Sequence, residues 1–269
     1  QQVLPNAQIL TAPMADGGEG FTQALVEATQ GQVHALTVMG PLGKPVRSFF
    51  GILGNQKGVP RTAVIEMAAA AGLRLVPRAL RNPMITTSYG VGQLIRAALD
   101  AGAQRILLGC GDSGINDGGA GMAQALGARL LDVDGNEIAH GGGALSNLNR
   151  IDLSGLDARL QEVQLDAAVN WHNVLLGERG VARVFGPQKG ATPTQVIELE
   201  SALENYAKCI ARDLGKHIGQ SPGSGASGGL GAGFEALLGG TLHPRFEIVM
   251  EYLALDSLCN YTTSPRNGG

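Results

Sequence analysis

Cysteine is scarce in this sequence, and its spacing excludes the common cysteine-based sites. The three cysteines of the 269-residue chain, Cys110, Cys209 and Cys259, are widely separated and include no CxxC pair. An odd number at such spacing argues against a disulfide framework, and the histidine pairing that a zinc site needs is missing. We therefore expect reduced thiols and a cytoplasmic protein.

Long hydrophobic runs and clusters of basic residues are also missing. No apolar stretch approaches the roughly 20 residues of a membrane-spanning helix, and no charged start precedes an apolar signal core. The net charge of −3 and the pI near 6.0 provide no basic surface for nucleic acid or for a membrane. The composition favours a small-molecule partner, with no nucleic acid and no membrane, and leaves open whether the chain forms a homo-oligomer.

Familiar signatures of nucleotide and ester chemistry are absent as well. The sequence has no Walker A motif GxxxxGK[ST] and no protein-kinase HRD or DFG motif. The tripeptide Gly223-Ser224-Gly225 lacks the preceding strand of a nucleophile elbow. If the protein binds a nucleotide, it therefore does so with an unrelated architecture.

The sequence does contain enough apolar material for a large core. With 269 residues, of which 44% are hydrophobic, the length fits one large domain or two. The chain opens with QQVLPNAQ rather than with Met. This opening is typical of the middle of a fold and favours a fragment of a longer protein.

The most informative stretch covers residues 104–127, QRILLGCGDSGINDGGAGMAQALG. An apolar run at 106–108 predicts a strand, a glycine-rich loop follows, and an alanine-rich helical pattern begins after it. Glycines such as Gly111, Gly118 and Gly119 let backbone N–H groups close on an anionic group, so the loop suits a phosphate.

Polar side chains in the same loop point to more than anion binding. Asp112, Ser113, Asn116 and Asp117 stand among the glycines, and carboxylates beside a phosphate imply a metal ion or a hydroxyl to deprotonate. The simpler alternative is that Asn116 or Asp117 caps the helix while the glycines form a turn. The loop alone leaves both interpretations open.

A second unit of the same kind lies near the start of the chain. Residues 7–12 predict a strand, residues 14–20 (MADGGEG) a loop, and residues 21–28 a helix. Asp16 at the N-cap and Glu19 in the first turn would suit the helix dipole. The glycines that surround Asp16 favour a site role for that residue and a mixed role for Glu19.

Three β-prone runs follow, at 33–38, 46–53 and 62–67, and their turn signals predict antiparallel pairing. Glu66 ends the third run, where an ionised side chain is either exposed or faces a polar site. A helix is predicted from the capping signature at Thr87 and Ser88 to Leu99.

The second half of the chain adds two further candidate loops. A hairpin is predicted over 128–138 and a strand over 163–169, after which Asn170 and Asn173 suggest a polar pocket. Lys189 lies in a Gly-Pro-bounded loop before a helix over 193–214 capped at Thr192. A lysine there can counter the charge of a transferring phosphoryl group, although most loop lysines are merely solvated.

Residues 222–233, PGSGASGGLGAG, precede a helix predicted over 234–238. The glycines could form a flexible linker. Their mixture with Ala and Leu instead favours a second phosphate or nucleotide cradle that contains Gly225, Gly228 and Gly229.

Taken together, several stretches resemble the bacterial type I glycerate kinase family. They are PMADGGEG (13–20), TTSYGVGQLI (86–95), GCGDSGINDGGAGMAQALGA (109–128), FGPQKGA (185–191) and PGSGASGGLGAG (222–233). The resemblance implies ATP-dependent phosphorylation of D-glycerate to 2-phosphoglycerate, with 3-phosphoglycerate as the alternative product. It also implies an α/β fold with two domains: an incomplete flavodoxin-like domain (1–42 and 245–269) and a restriction-endonuclease-like mixed α/β domain (43–244).

The sequence departs from that family at some points. The family's usual opening IAPDSxK loop and its TGEGR-type loop after the last helical segment are not found. Asp112 stands where glycine is common, and Asn170 replaces an acidic residue, so we assign Asn170 no metal or base role. These departures leave a second hypothesis, a catalytically incomplete fragment that binds an anionic ligand or a nucleotide without turnover.

The combined motifs suggest a role for each candidate residue in phosphoryl transfer, with ATP and Mg²⁺ as cofactors. Asp16 or Asp117 would act as base or hold the metal, and Lys189 would stabilise the phosphoryl charge. Ser113, Asn116 and Glu19 would bind substrate. The expected phosphate-binding residues are Gly111, Gly118, Gly119, Gly225, Gly228 and Gly229. The sequence shows no metal-ligand set.

Overall fold

A six-stranded sheet organises residues 17–54 and 60–252, the parts of the chain that the computed structural model describes. In chain order the strands are β1 (Gln32–Met39), β2 (Pro45–Ile52), β3 (Thr62–Glu66), β4 (Arg105–Gly109), β5 (Arg129–Leu131), β6 (Arg150–Asp152), β7 (Gln164–Val169) and β8 (Thr241–Pro244). The large sheet has the order β1-β2-β3-β4-β7-β8, and β5 pairs with β6 in a separate ladder.

Eight α-helices accompany these strands in the described residues. They are α1 (Phe21–Thr29), α2 (Ala68–Ala71), α3 (Tyr89–Asp100), α4 (Ala120–Ala125), α5 (Val181–Phe185), α6 (Pro193–Leu214), α7 (Ala226–Leu238) and α8 (Arg245–Tyr252). The protein is therefore a mixed α/β fold with a mostly parallel central sheet. The flavodoxin-like and restriction-endonuclease-like names stay predictions.

The sheet combines two kinds of pairing. β2 pairs antiparallel with both β1 and β3, which confirms the prediction for these runs, whereas β3, β4, β7 and β8 are parallel. The carboxyl ends of the four parallel strands, at Glu66, Gly109, Val169 and Pro244, consequently meet at one edge. Ligands of open α/β sheets bind at such an edge.

Both faces of the central strands are buried. Val64, Leu107 and Ala168 face one side, where residues of α1 and α8 cover them. Their neighbours along the strands contribute to the larger core on the other side, with residues of α3, α6 and α7. This arrangement explains why β3 and β4 are almost continuously apolar instead of alternating with polar residues.

Helix α6 begins and ends as the sequence predicts. Thr192 accepts a hydrogen bond from the backbone N–H of Gln195, whose side chain accepts one from the N–H of Thr192, and Pro193 occupies the first turn. This capping box satisfies two N–H groups that the helix itself leaves unpaired. Gly215 follows Leu214 in the left-handed conformation and ends the helix.

Three local predictions need correction. The side chain of Ser88 does not cap α3, because its hydroxyl instead contacts Asp117. The predicted 128–138 hairpin closes through backbone hydrogen bonds from Asp132 to Asn136 (2.8 Å) and from Ile138 to Leu130 (2.9 Å). Its second arm, however, is only an isolated bridge at Glu137 instead of a strand, and its first arm, β5, pairs with β6. Residues 223–233 are buried, so they are not a linker, and α7 includes them from Ala226 onward.

Other predictions concern the ends of the chain. The strand at 7–12 and the residues Asp16 and Cys259 lie outside the described residues. The proposed domain boundary after residue 42 falls between β1 and β2, which pair from Gln32↔Ile52 to Met39↔Pro45. The division into two domains stays a prediction.

Candidate active site

A cavity of about 830 Å³ opens at the carboxyl edge of the parallel strands. The segments after β4, β7 and β8, the loop before α1 and the turn before α6 all contribute to its wall. The lining residues are Glu19, Gly20, Leu73, Arg74, Arg81, Cys110, Gly111, Asp112, Ser113, Asn170, Asn173, Phe185, Gln188, Lys189, Ser227, Gly228 and Arg245.

Lys189 is the most unusual of these residues because its side chain is buried. Its ammonium group donates hydrogen bonds to the hydroxyl of Ser113 (2.9 Å) and to the carbonyl of Ile115 (2.7 Å). Burial lowers the pKa of Lys189 to about 7, while the charge of Asp117 acts in the opposite direction. The solvated alternative considered for this lysine is therefore wrong.

Asp117 is completely buried and accepts hydrogen bonds from several directions. Its Oδ2 accepts from the N–H (2.7 Å) and hydroxyl (2.9 Å) of Ser88, and Oδ1 accepts from the N–H of Gly119 (3.2 Å). Weaker contacts come from Thr87 and Gly121. Burial raises the pKa of Asp117, and these hydrogen bonds oppose the rise. Asp117 is not among the described residues that line the cavity. Its hydrogen bonds to Ser88 instead hold the loop after β4 against the start of α3.

Asn116 precedes this carboxylate and is equally buried. Neither its amide nitrogen nor its amide oxygen has a hydrogen-bond partner among the described residues. A buried amide without partners costs about 1–3 kcal/mol per missing interaction. Asn116 is not among the described residues that line the cavity, so its contact with substrate stays a prediction, which the unpartnered amide favours.

Two of the predicted phosphate-binding glycines, Gly111 and Gly228, line the cavity. The others, Gly118, Gly119, Gly225 and Gly229, do not line it in the described residues. They instead lie where backbone segments touch. For example, the N–H of Gly118 donates to the carbonyl of Gly228 (3.1 Å). The two glycine-rich segments thus pack against each other beside the cavity.

Gly228 illustrates how tight this contact is. Its φ is +72°, and an added Cβ would lie 2.0 Å from the carbonyl oxygen of Ile115. Ser227 adopts the same left-handed conformation with a φ of 52°, which is uncommon for a residue other than glycine. These left-handed residues turn the chain so that regular helix follows only after Gly229.

Glu19 lies on the cavity wall but outside the helix. Helix α1 begins at Phe21 with Gly20 as its N-cap, so the predicted place of Glu19 in the first turn is wrong. The backbone N–H of Glu19 donates to Oδ2 of Asp112 (3.0 Å), and its carboxylate pairs with Arg74 at 2.5 Å.

Three arginines on the wall, Arg74, Arg81 and Arg245, were not identified from the sequence. Each lies in a segment without a distinctive motif, and only the fold brings them to one cavity. Together with Lys189 they outnumber the lining carboxylates, Glu19 and Asp112. The wall carries more basic than acidic side chains and therefore favours an anionic ligand. Asn170 and Asn173 lie on this wall as well, in agreement with the predicted polar pocket.

The glycerate kinase family model matches residues 1–263. The chain belongs to the glycerate kinase family. It is 48% identical over 256 residues to glycerate 2-kinase of Escherichia coli strain K12, and 50% identical over 258 residues to glycerate kinase of Bacillus subtilis strain 168. These matches cover 95% and 96% of this chain and 66% of each relative, so the chain spans just under two thirds of their length.

A solved structure agrees with the family assignment. The crystal structure described as glycerate kinase 2 from Salmonella typhimurium LT2 superposes with a TM-score of 0.89 at 50% identity, and the match covers 95% of this chain and 67% of that one. Within residues 17–54 and 60–252, no helix is both long and apolar enough to cross a bilayer. The same residues contain no cluster of three or more His, Cys, Asp or Glu side chains suited to a metal ion.

Proposed function

We propose that this chain carries the catalytic cavity of a kinase that transfers the γ-phosphoryl group of ATP to D-glycerate. Family membership supports the activity and both small-molecule partners. The observation that carries the proposal is the buried ammonium group of Lys189 on the wall of an 830 Å³ cavity that is rich in basic side chains. Both substrates are anions, and phosphoryl transfer depends chiefly on the positioning and electrostatic stabilisation of such charge.

In this mechanism a hydroxyl oxygen of D-glycerate forms a bond to the γ-phosphorus. The bond between that phosphorus and the β–γ bridging oxygen breaks, ADP leaves, and the hydroxyl proton passes to a carboxylate base. Asp16 remains our candidate for the base and lies outside the described residues. We propose 2-phosphoglycerate as the product, and ³¹P NMR of the product distinguishes it from 3-phosphoglycerate.

Lys189 has the clearest role among the described residues. Its two hydrogen bonds to Ser113 and Ile115 hold the ammonium group in place and leave a third N–H for the transferring phosphoryl group. An arriving phosphate favours the charged form of this lysine. The negative charge of Asp117 favours the charged form of Lys189, so we assign Asp117 a positioning role. Its role as base or metal ligand stays a prediction.

The remaining residues would bind the two substrates. Ser113, Asn116 and Glu19 are proposed to contact glycerate, with the unpartnered amide of Asn116 as the supporting observation. The backbone at Gly111 and Gly228 is proposed to receive phosphates. Gly118, Gly119, Gly225 and Gly229 would support those segments through their packing.

Mg²⁺ is a further part of the proposal. Magnesium in kinases is held by one or two carboxylates together with substrate phosphates, so a cage of three protein carboxylates is not required. Asp112 supplies suitable oxygens on the wall and would hold the ion. When bound, it would neutralise charge on the phosphates.

A coupled ADP-release assay with D-glycerate, ATP and Mg²⁺ tests the activity on the 269-residue chain. We expect turnover that depends on D-glycerate. If ATP or glycerate raises the melting temperature without any ADP release, the chain is a binding fragment without turnover, and the proposal is wrong. A cytoplasmic location and homo-oligomer formation stay predictions.

A further inference from the structure

The loop of residues 17–20 lies directly across the carboxyl end of β4. A Cβ added to Gly111 would lie 2.6 Å from the Cα of Gly18, and one added to Gly109 would lie 2.9 Å from the carbonyl oxygen of Gly17. The two backbones therefore touch without room for a side chain between them. This close contact brings Glu19 and Gly20 to the wall of the cavity.

Two carboxylates from other parts of the chain hold this loop in place. Oδ2 of Asp112 accepts the N–H of Glu19 at 3.0 Å, and Oε2 of Glu66 accepts the N–H of Thr22 at 3.1 Å. The backbone of Gly20 also forms a hydrogen bond with Glu66. The loop is thus fixed on both sides of Gly20, once from β3 and once from the segment after β4.

Glu66 caps the N-terminus of α1, because the N-cap residue of that helix supplies no acceptor side chain of its own. The N-cap residue, Gly20, has no side chain, and the first turn contains no acidic residue. Glu66 is only 4% exposed, lies 44 positions from Thr22, and places its carboxylate at the N-terminus of the helix. Unpaired N–H groups and the helix dipole at this end favour a negative charge.

We propose that Glu66 is a positioning residue, which fixes the loop of residues 17–20 against the end of β4 so that Glu19 faces the acceptor substrate. This inference rests on the proposed function, because it uses the glycerate-binding role of Glu19. Glu66 itself does not line the cavity in the described residues, so its effect on the substrate would pass through the backbone of residues 19–22.

A Glu66→Gln variant tests the inference, since glutamine keeps the size and one acceptor oxygen but loses the charge. We expect the KM for D-glycerate to rise about tenfold while the KM for ATP stays within about twofold, which corresponds to about 1.4 kcal/mol of binding. A loss of folded protein would instead lower kcat and leave both KM values unchanged. Glu27→Gln, on the exposed side of α1, is the matched control and should behave as the unmodified chain.

Hydrogen–deuterium exchange of the peptide that covers residues 17–25 separates this inference from the proposed function, because it needs no turnover. We expect at least tenfold faster exchange there in Glu66→Gln and unchanged exchange in α6. Unchanged exchange in residues 17–25, or equal KM values for D-glycerate in the variant and the unmodified chain, would overturn the positioning role. Faster exchange in a chain that shows no ADP release would support Glu66 as the holder of the loop and reject the kinase activity instead.

Discussion

The ammonium group of Lys189 donates a hydrogen bond of 2.9 Å to the hydroxyl of Ser113, although the two residues lie 76 positions apart in the sequence. This bond joins the turn before α6 to the loop after β4. Because a second bond reaches the carbonyl of Ile115, the position of the positive charge is set by that loop. The charge is consequently oriented before any anion arrives, which is the condition for strong electrostatic stabilisation.

Replacing Lys189 with methionine should lower kcat for ADP release by about 10²–10³-fold, the usual cost of removing one oriented donor from a site where charge develops. Methionine has a similar length but carries no charge. Lys208→Met changes an exposed lysine on α6 and should retain full activity in the same coupled assay. Equal activities of the two variants would exclude Lys189 from the reaction.

The stability of the protein should depend on pH through the same lysine. The pKa of Lys189 is about 7 in the folded chain, against an ordinary value of 10.5. Between pH 7 and pH 10.5 the unfolded chain binds more protons than the folded chain, so the free energy of unfolding rises with pH. Below pH 7 the lysine is protonated in both states, and the full free-energy cost of burying its charge remains. Thermal unfolding from pH 6 to 10 should show the unmodified chain gaining stability relative to Lys189→Met. A difference that stays constant over this range would contradict the lowered pKa.

Asp117→Asn should reduce both stability and activity. The asparagine amide keeps one acceptor oxygen, but its NH₂ group faces backbone or hydroxyl donors that bond to the carboxylate in the unmodified chain. One buried donor is then left unpaired, which costs about 1–3 kcal/mol. Loss of the negative charge also weakens the protonated form of Lys189. We expect at least a tenfold fall in kcat, measured beside the free energy of unfolding in urea.

Ser88→Ala is the comparison for Asp117, because it removes a hydroxyl bond to the same carboxylate and leaves the charge. It also removes the acceptor of the Met122 N–H, so its loss of stability is measured alongside its activity. If Ser88→Ala loses as much activity as Asp117→Asn at the same loss of stability, only the loop packing matters. A much larger loss in Asp117→Asn would support a role for the charge.

Gly228→Ala should be strongly destabilising, and Gly239→Ala provides its control. Both glycines have a similar left-handed φ, but a Cβ at Gly239 meets nothing within 4 Å, whereas at Gly228 it would lie 2.0 Å from a carbonyl oxygen. The conformation alone costs about 1–2 kcal/mol, and overpacking adds about 1–3 kcal/mol at Gly228 only. Urea unfolding of the two variants should show this difference, and equal losses would mean that the two segments do not pack tightly.

Sequence reasoning succeeded where local chemistry decides the structure. The capping box at Thr192, Pro193 and Gln195 fixes the start of α6, and the apolar runs of β3 and β4 identify buried strands without any long-range information. The placement of Lys189 in a turn before that helix was also predictable. These features depend on residues that are neighbours in the chain.

Features that depend on distant contacts could not be predicted in the same way. The burial of Lys189 requires the loop after β4, and the presence of Arg81 and Arg245 on one cavity requires the order of the strands. Residues 225–229 are as rich in glycine as a phosphate-binding loop, but several of these glycines allow close backbone packing instead. Phosphate binding and backbone packing can be told apart only from the loop at 115–119, which packs against these glycines.

The contact between the loop at 115–119 and the segment at 228–233 also limits how this protein can diverge. The N–H of Gly118 bonds to the carbonyl of Gly228, and a Cβ at Gly233 would lie 2.4 Å from the carbonyl oxygen of Gly118. A larger residue on either side forces the other backbone to move, and the segment at 228–233 reaches the cavity wall at Gly228. The two segments, more than 100 positions apart, should therefore change together or not at all when such a chain is randomised and selected for folding.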